Sequence, residues 1–301
     1  MTNIKKIDFI GIGAAKCATT WLYRCLIEHP DICGPQIKEV NYFLTKKHPL
    51  YTEEEFENRK MLFKNGLESY LNFFSHCSEN SIKGEISVSY MSDPGSAKKI
   101  HETFPDVKII AVLRDPVKRA HSFYWFARDF MLREKNKTFE DALENNPEIY
   151  INWGMYYKQL KPYFDLFPRE NIGVFFVDDL KKDSVKFTQD VYKFLGADDK
   201  FIAPSAQKKE NAASKVKFKW VRGLIDGAVK LLYKLKLGVL IEFLKKLGFQ
   251  ELVYFIHYKL NVSKIKKPEL NPETGKKLRD IFREDIDKLE KLLSKDLSGW
   301  K

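Results

Sequence analysis

Four short apolar runs, at residues 7–13, 82–87, 107–113 and 172–177, have the length and continuity of buried strands. Between them, apolar residues recur at helical spacing over 20–29, 54–74, 97–104, 116–131, 153–167 and 180–195, with Gly196 placed to cap the last. Strand and helix in alternation predict an α/β fold with a mostly parallel central sheet and helices on both faces. After Gly196 the pattern changes. Residues 197–214 read as a polar loop, 215–261 as helix interrupted near Gly238 and Gly248, and 264–271 as a basic linker. Residues 272–293 then read as one amphipathic helix, with Leu278, Ile281, Phe282, Ile286, Leu289, Leu292 and Leu293 on its apolar stripe. The whole chain, 1–301, is expected to be a single domain, with 215–268 a basic helical insertion or lid within it and a helical segment closing the C-terminus.

Composition narrows this. With 44% hydrophobic and 14% aromatic residues among 301, the chain can bury a sizeable core. No run of 18 uncharged apolar residues and no leader pattern occur, so the expectation is a cytoplasmic protein. Cys17, Cys25, Cys33 and Cys77 include no C-x-x-C pair and no zinc spacing, which predicts four free thiols in a reducing compartment. Of the net charge of +11, all is confined to 208–268, with fifteen Lys and Arg against four Asp and Glu; the rest balances, 37 against 37.

The sharpest local signal is Phe9-Ile10-Gly11-Ile12-Gly13-Ala14-Ala15-Lys16-Cys17-Ala18-Thr19-Thr20-Trp21-Leu22: strand, small-residue loop, lysine, two hydroxyls, helix. Backbone N–H groups converge at such a helix N-terminus, and its dipole favours an anion. Lys16 adds a full charge. A nucleoside-triphosphate loop needs a Gly before its lysine and a Mg²⁺-binding hydroxyl after it. Here Ala15 and Cys17 stand in those places, so the expectation is an anion site that uses no metal. Cys17 itself reads as a small residue in a tight turn; its cationic surroundings leave a lowered pKa as the alternative.

Two further segments carry candidate chemistry. In Leu113-Arg114-Asp115-Pro116-Val117-Lys118-Arg119-Ala120-His121-Ser122, Arg114 leaves a strand at the carboxyl edge of the sheet, where open α/β folds bind ligands. Ser122 lies two helical turns on, and an arginine fork with a hydroxyl suits a phosphate monoester. The plain alternative is an arginine paired with Asp115. In Lys38-Glu39-Val40-Asn41-Tyr42-Phe43, Glu39 among apolar neighbours is a candidate general base, its alternative an ordinary Lys–Glu pair.

Together these segments resemble sulfotransferases that use 3′-phosphoadenosine 5′-phosphosulfate (PAPS), above all the carbohydrate, heparan-type branch and its bacterial relatives. Lys16–Thr20 is similar to that family's 5′-phosphosulfate loop, residues 113–122 to its 3′-phosphate motif, and 38–43 to the segment that carries its base. Weaker similarities fall at 84–90, 153–160, 194–196 and 289–300. The resemblance implies a P-loop-like three-layer α/β/α fold. It also implies PAPS as donor, no metal, in-line transfer to a hydroxyl or amine, and catalytic roles for Lys16 and Glu39. By the same resemblance Lys16, Cys17, Ala18, Thr19, Thr20, Trp21, Arg114 and Ser122 would bind the donor. Lys209, Asn211, Ser214 and Lys215 would do so as well, through the similarity of 208–215 to an N-A-S stretch. Ala18 stands where the family often has Gly, and Ile86 and Val88 where many members have Lys or Ser and Pro.

The implied acceptor is a glycan, glycolipid, or small alcohol or amine. The basic stretch 215–261 has three readings: a lid that attracts an anionic acceptor, a peripheral contact with an anionic membrane, or a solvated face. Other function classes fit less well. A kinase-like phosphotransferase lacks its Gly-Lys and its Mg²⁺ ligand. A dinucleotide oxidoreductase lacks its third glycine. A non-enzymatic membrane- or nucleic-acid-binding protein would leave the charge-balanced remainder unexplained, so no nucleic-acid partner is expected.

Overall fold

Strands that begin and end inside apolar runs pair here with partners far off in sequence. The computed structural model describes residues 6–47, 49, 51–208 and 267–301, together with the backbone of 213–216 and 262–265. The chain divides into two compact units: Met1–Phe123 with Asn136–Glu210 and Leu270–Lys301, and Tyr124–Lys135 with Asn211–Glu269.

The first unit holds β1 (Phe9–Gly13), α1 (Thr19–Ile27), β2 (Ile32–Cys33), α2 (Glu53–Leu62), α3 (Leu67–Asn72), β3 (Ile82–Ile86), α4 (Ser96–Thr103) and β4 (Lys108–Leu113). Next come α5 (Pro116–Asp129), which runs on past Phe123, then α6 (Phe139–Asn145), α7 (Pro147–Tyr150), α8 (Tyr156–Leu166), β5 (Ile172–Phe176), α9 (Val177–Lys182) and α10 (Ser184–Leu195). The sheet order is β2-β3-β1-β4-β5, with every pair parallel. This is the predicted α/β architecture. β1 lies at the centre, and all five of its residues are buried. Its loop therefore opens at the carboxyl edge, between the ends of β3 and β4.

The second unit contains β6 (Ala213–Val216) and β7 (Val262–Ile265), an antiparallel pair in which Val216 faces Val262. Here the sequence reading is corrected. Residues 213–214 were expected in a loop, 215–216 in a helix and 264–265 in a linker; all are strand. A strand of four residues is too short to stand out from the Lys-rich pattern around it. The rest of the expected helix at 215–261 lies outside the described residues.

Back in the first unit, α11 (Pro272–Leu293) matches its predicted bounds, with Leu278, Phe282, Ile286 and Leu289 fully covered. Two other helices were predicted as continuous and are each divided. The break at 63–66 ends in Gly66 at φ 62°, a left-handed turn that an apolar period does not reveal. Asp183 separates α9 from α10 by capping the latter, its carboxylate accepting from Val185 N at 3.0 Å and Lys186 N at 2.9 Å.

The cysteines also differ from expectation. Cys33 and Cys77 form a disulfide across 44 residues, with Cα atoms 5.8 Å apart. Only Cys17 and Cys25 are free, and both are buried. The pairing arises because β2 lies beside the start of β3, which brings Cys33 against the turn after α3. Sequence spacing carries no trace of that contact. Among the described residues no helix is long and apolar enough to cross a membrane.

Candidate active site

The loop after β1 is fixed by its own backbone. Ala14 N donates to Val112 O at 2.9 Å, which ties the loop to β4. Lys16 (φ 67°) and Ala18 (φ 60°) are both left-handed, which bends the chain so that Ala18 becomes the N-cap of α1. That cap has no side-chain hydrogen bond, and the first turn carries no acidic residue. Among the described residues no side chain caps these first N–H groups of α1, which have the geometry of an anion seat.

Cationic groups surround this loop. Arg119, on α5, is fully buried; its Nη2 donates to Ile149 O at 3.2 Å and Tyr150 O at 2.7 Å. Its Nε and Nη1, and Nε of Arg114, are buried with no hydrogen-bond partner. Buried guanidinium donors without acceptors are costly. The charges of Arg119, Arg114 and Lys16 all act on the Cys17 thiol, yet burial outweighs them and pushes that thiol up to about 11. Burial and a raised thiol favour the reading of Cys17 as a small residue that fills a tight turn. Tyr156 OH donates to Arg114 O at 2.9 Å and lies 3.9 Å from Cys17 Sγ, so one buried phenol joins the two loops.

Asp115 does not pair with Arg114. Its Oδ1 accepts from Val117 N at 2.9 Å and Lys118 N at 3.2 Å, capping α5, while its other oxygen faces Lys118 at 3.4 Å and Arg279 at 3.7 Å. Ser122 lies on the buried side of α5, 4% exposed.

Glu39 belongs to a turn fastened from several sides. Arg59 Nη1 donates to Glu39 O at 3.1 Å and Val40 O at 3.3 Å; Lys99 Nζ donates to Tyr42 O at 2.7 Å; Ser96 Oγ donates to Phe43 O at 3.0 Å. Asn41 takes the left-handed position at φ 57°, which asparagine tolerates. The Glu39 side chain is 27% exposed. Burial raises its carboxyl above the usual range, opposed by Lys38, the Val88 N–H, Arg59 and the Asn41 side chain. Val88 also lines a small crevice with Ala14, Ala15, Met91, Trp153 and Gln159. The raised carboxyl and the anion loop thus meet through one residue.

The description of a sulfotransferase domain matches residues 6–220. The chain belongs to the sulfotransferase family.

Among relatives of this sulfotransferase, the membrane-associated sulfotransferase kil1 of Dictyostelium discoideum is 31% identical over 141 residues, 46% of this chain and 26% of that protein. The bifunctional heparan sulfate N-deacetylase/N-sulfotransferase 3 of Homo sapiens is 25% identical over 62% of this chain and 22% of its own length. Carbohydrate sulfotransferase 15 of Rattus norvegicus is 24% identical over 69% and 46%. The chain thus spans less than half the length of these curated relatives. A crystal structure of a sulfotransferase from Alicyclobacillus acidocaldarius shares the fold, with TM-score 0.71 and 24% identity over 99% of each chain.

The other residues singled out from the sulfotransferase-like segments fall as follows. Thr19 is buried and Thr20 exposed at the start of α1. Trp21 Nε1 donates to Ser205 O at 3.1 Å, and its ring packs 6.1 Å from Phe187, so its indole N–H is already committed. Ser214 and Lys215 lie on β6, and Lys209 and Asn211 lie outside the described residues. Sequence reasoning did not single out Arg119, Tyr156 or Arg59. The first two stand inside segments similar to family motifs, and that similarity was the available signal.

Proposed function

We propose that this sulfotransferase moves a sulfuryl group from PAPS to a hydroxyl or amine of a carbohydrate or glycolipid acceptor. The observation that carries this reading is the set of buried, unpartnered guanidinium donors on Arg114 and Arg119 beside the uncapped N-terminus of α1. That chemistry fits a ligand with separated phosphate groups. Bound PAPS would supply the sulfuryl group and a phosphate leaving group.

Lys16 and the loop N–H groups stabilise the charge that grows on the departing phosphate oxygen, as pre-organised electrostatic catalysis. Thr19 and Thr20 hydrogen-bond the 5′-phosphate. Arg114 and Ser122 hold the 3′-phosphate, with the buried charge of Arg119 adding to theirs, and so align the donor. Glu39 takes the proton of the acceptor as the new bond to sulfur forms and the sulfur–phosphate-oxygen bond breaks. The carbohydrate acceptor is supported by the names of the heparan sulfate and carbohydrate relatives.

The test is ligand stabilisation followed by activity. Adenosine 3′,5′-bisphosphate should raise the unfolding temperature without added metal, and ATP with Mg²⁺ should not; the reverse order would favour a phosphotransferase. Lys16→Ala should abolish transfer in a folded protein. Arg114→Ala should weaken binding of the 3′-phosphorylated nucleotide far more than that of its unphosphorylated analogue. Equal losses would remove Arg114 from the 3′ site.

A further inference from the structure

Glu85, the fourth residue of β3, is wholly buried, and three hydroxyls converge on it. Tyr70 OH at 3.2 Å and Tyr90 OH at 2.8 Å donate to Oε1; Ser87 Oγ at 2.5 Å donates to Oε2. Two of these hydroxyls also accept. Ser87 Oγ receives the Asn41 N–H at 3.0 Å, and the Tyr90 phenol oxygen receives the Phe43 N–H at 3.4 Å. Asn41 and Phe43 lie just beyond Glu39 in the same turn.

Hydrogen-bond polarity makes this arrangement directional. A carboxylate accepts and never donates, so it draws each hydroxyl proton towards itself. The lone pairs of Ser87 and Tyr90 are then left for the two turn amides. If Glu85 is protonated, its own O–H must donate to one of the three hydroxyls, and where that hydroxyl is Ser87 or Tyr90 it turns its proton away and competes with the turn amide for the same oxygen. We propose that Glu85 is a positioning residue, whose carboxylate sets the polarity of the two hydroxyls that anchor the turn bearing Glu39. This rests on the reading of Glu39 as the general base.

The other titratable groups that act on or feel Glu85 are Glu39 and Lys38 from the turn itself and Tyr23 from α1. Burial pushes Glu85 up to about 7 against the pull of Ser87, Tyr90 and Tyr70, with the Glu39 charge raising it further. The two proton states therefore exchange near neutrality. The anchoring should strengthen as pH rises through that range.

Amide hydrogen exchange on the full chain tests the anchoring without recourse to activity. In Glu85→Gln the protection of Asn41 and Phe43 should fall about tenfold, the scale of one hydrogen bond. Steady-state kinetics should show kcat about tenfold lower with KM for the donor unchanged, and the limb of the kcat–pH profile near neutrality should vanish. Should Glu85→Gln fail to fold, Ser87→Ala replaces it: protection should drop at Asn41 and persist at Phe43. Wild-type protection in either folded variant, or an unmoved pH limb in Glu85→Gln, overturns the proposal. Glu39→Gln separates the two readings. If that variant keeps its kcat, the general-base assignment fails, while the exchange data still judge the anchor.

Discussion

Ala18 holds a left-handed backbone, φ 60° and ψ 18°, at the N-cap of α1, where a Cβ crowds the following carbonyl. Glycine at this position would relieve the strain while adding entropy to the unfolded chain. Ala18→Gly is expected to raise stability by about 0.5–1 kcal/mol, read as a higher urea midpoint at unchanged m-value. A lower midpoint would show that the methyl packs usefully against the loop. Glu85 gives a second single-residue expectation. Its folded pKa of about 7 stands above the ordinary 4.5, so the folded state binds more protons than the unfolded one between those values. Its contribution is therefore full below 4.5 and is lost as pH rises, by about 3 kcal/mol at and above pH 7. Glu39, also raised by burial, adds to the same slope. Urea unfolding at about pH 5 and about pH 8 should show Glu85→Gln losing less stability across the interval than wild type. Equal losses would mean that Glu85 ionises in the fold as it does in the unfolded chain and is already charged across the interval.

At the scale of elements, α8 starts without a cap of its own, and α11 supplies one. Asp285 on α11 accepts from Tyr157 N at 2.8 Å and Lys158 N at 3.3 Å. Tyr156, the residue before, is the phenol that joins Cys17 to Arg114. Asp285→Ala should cost about 1–2 kcal/mol and also weaken binding of adenosine 3′,5′-bisphosphate, because the first turn of α8 positions that phenol. Asp285→Asn, which keeps an acceptor, should lose less on both measures in parallel calorimetric titrations. The Cys33–Cys77 link belongs to this scale too. It closes a span of 44 residues, for which loop-closure entropy predicts a loss of about 4 kcal/mol on reduction, measurable as the difference in urea unfolding with and without dithiothreitol. Neither feature was legible in the sequence. Strands of five or six apolar residues announce themselves locally, and so does the stripe of α11. β2 has two residues, the break at Gly66 hides inside an apolar period, and the Asp285 cap and the disulfide join residues 128 and 44 apart.

Across the whole molecule the same division holds for the site. Lys16, Arg114 and Glu39 stand in segments whose residue order is itself the signal, so a reading of the chain finds them. Arg119, Tyr156 and Glu85 stand in such segments too, but they act from full burial through partners that only the fold supplies, so residue order places them without disclosing what they touch. Charge is the other molecule-wide property, and it is written in sequence alone: the +11 excess lies in 208–268, while the residues expected to hold the donor lie at 16–21 and 114–122, outside that stretch, and at 209–215, at its very start. Donor binding and acceptor attraction should therefore separate experimentally. For a sulfated or carboxylated glycan acceptor, KM should rise steeply with ionic strength, as expected of steering by exposed charge screened beyond about 10 Å at 0.1 M salt. Replacing Lys217, Lys219, Arg222, Lys230 and Lys234 together by Gln should raise KM for that acceptor at low salt and flatten its salt dependence, leaving KM for the donor unchanged. A neutral acceptor should respond to neither change. If the quintuple variant instead keeps its acceptor KM and loses co-flotation with vesicles containing anionic lipid, the basic stretch serves a membrane surface, and the acceptor is to be sought among lipids.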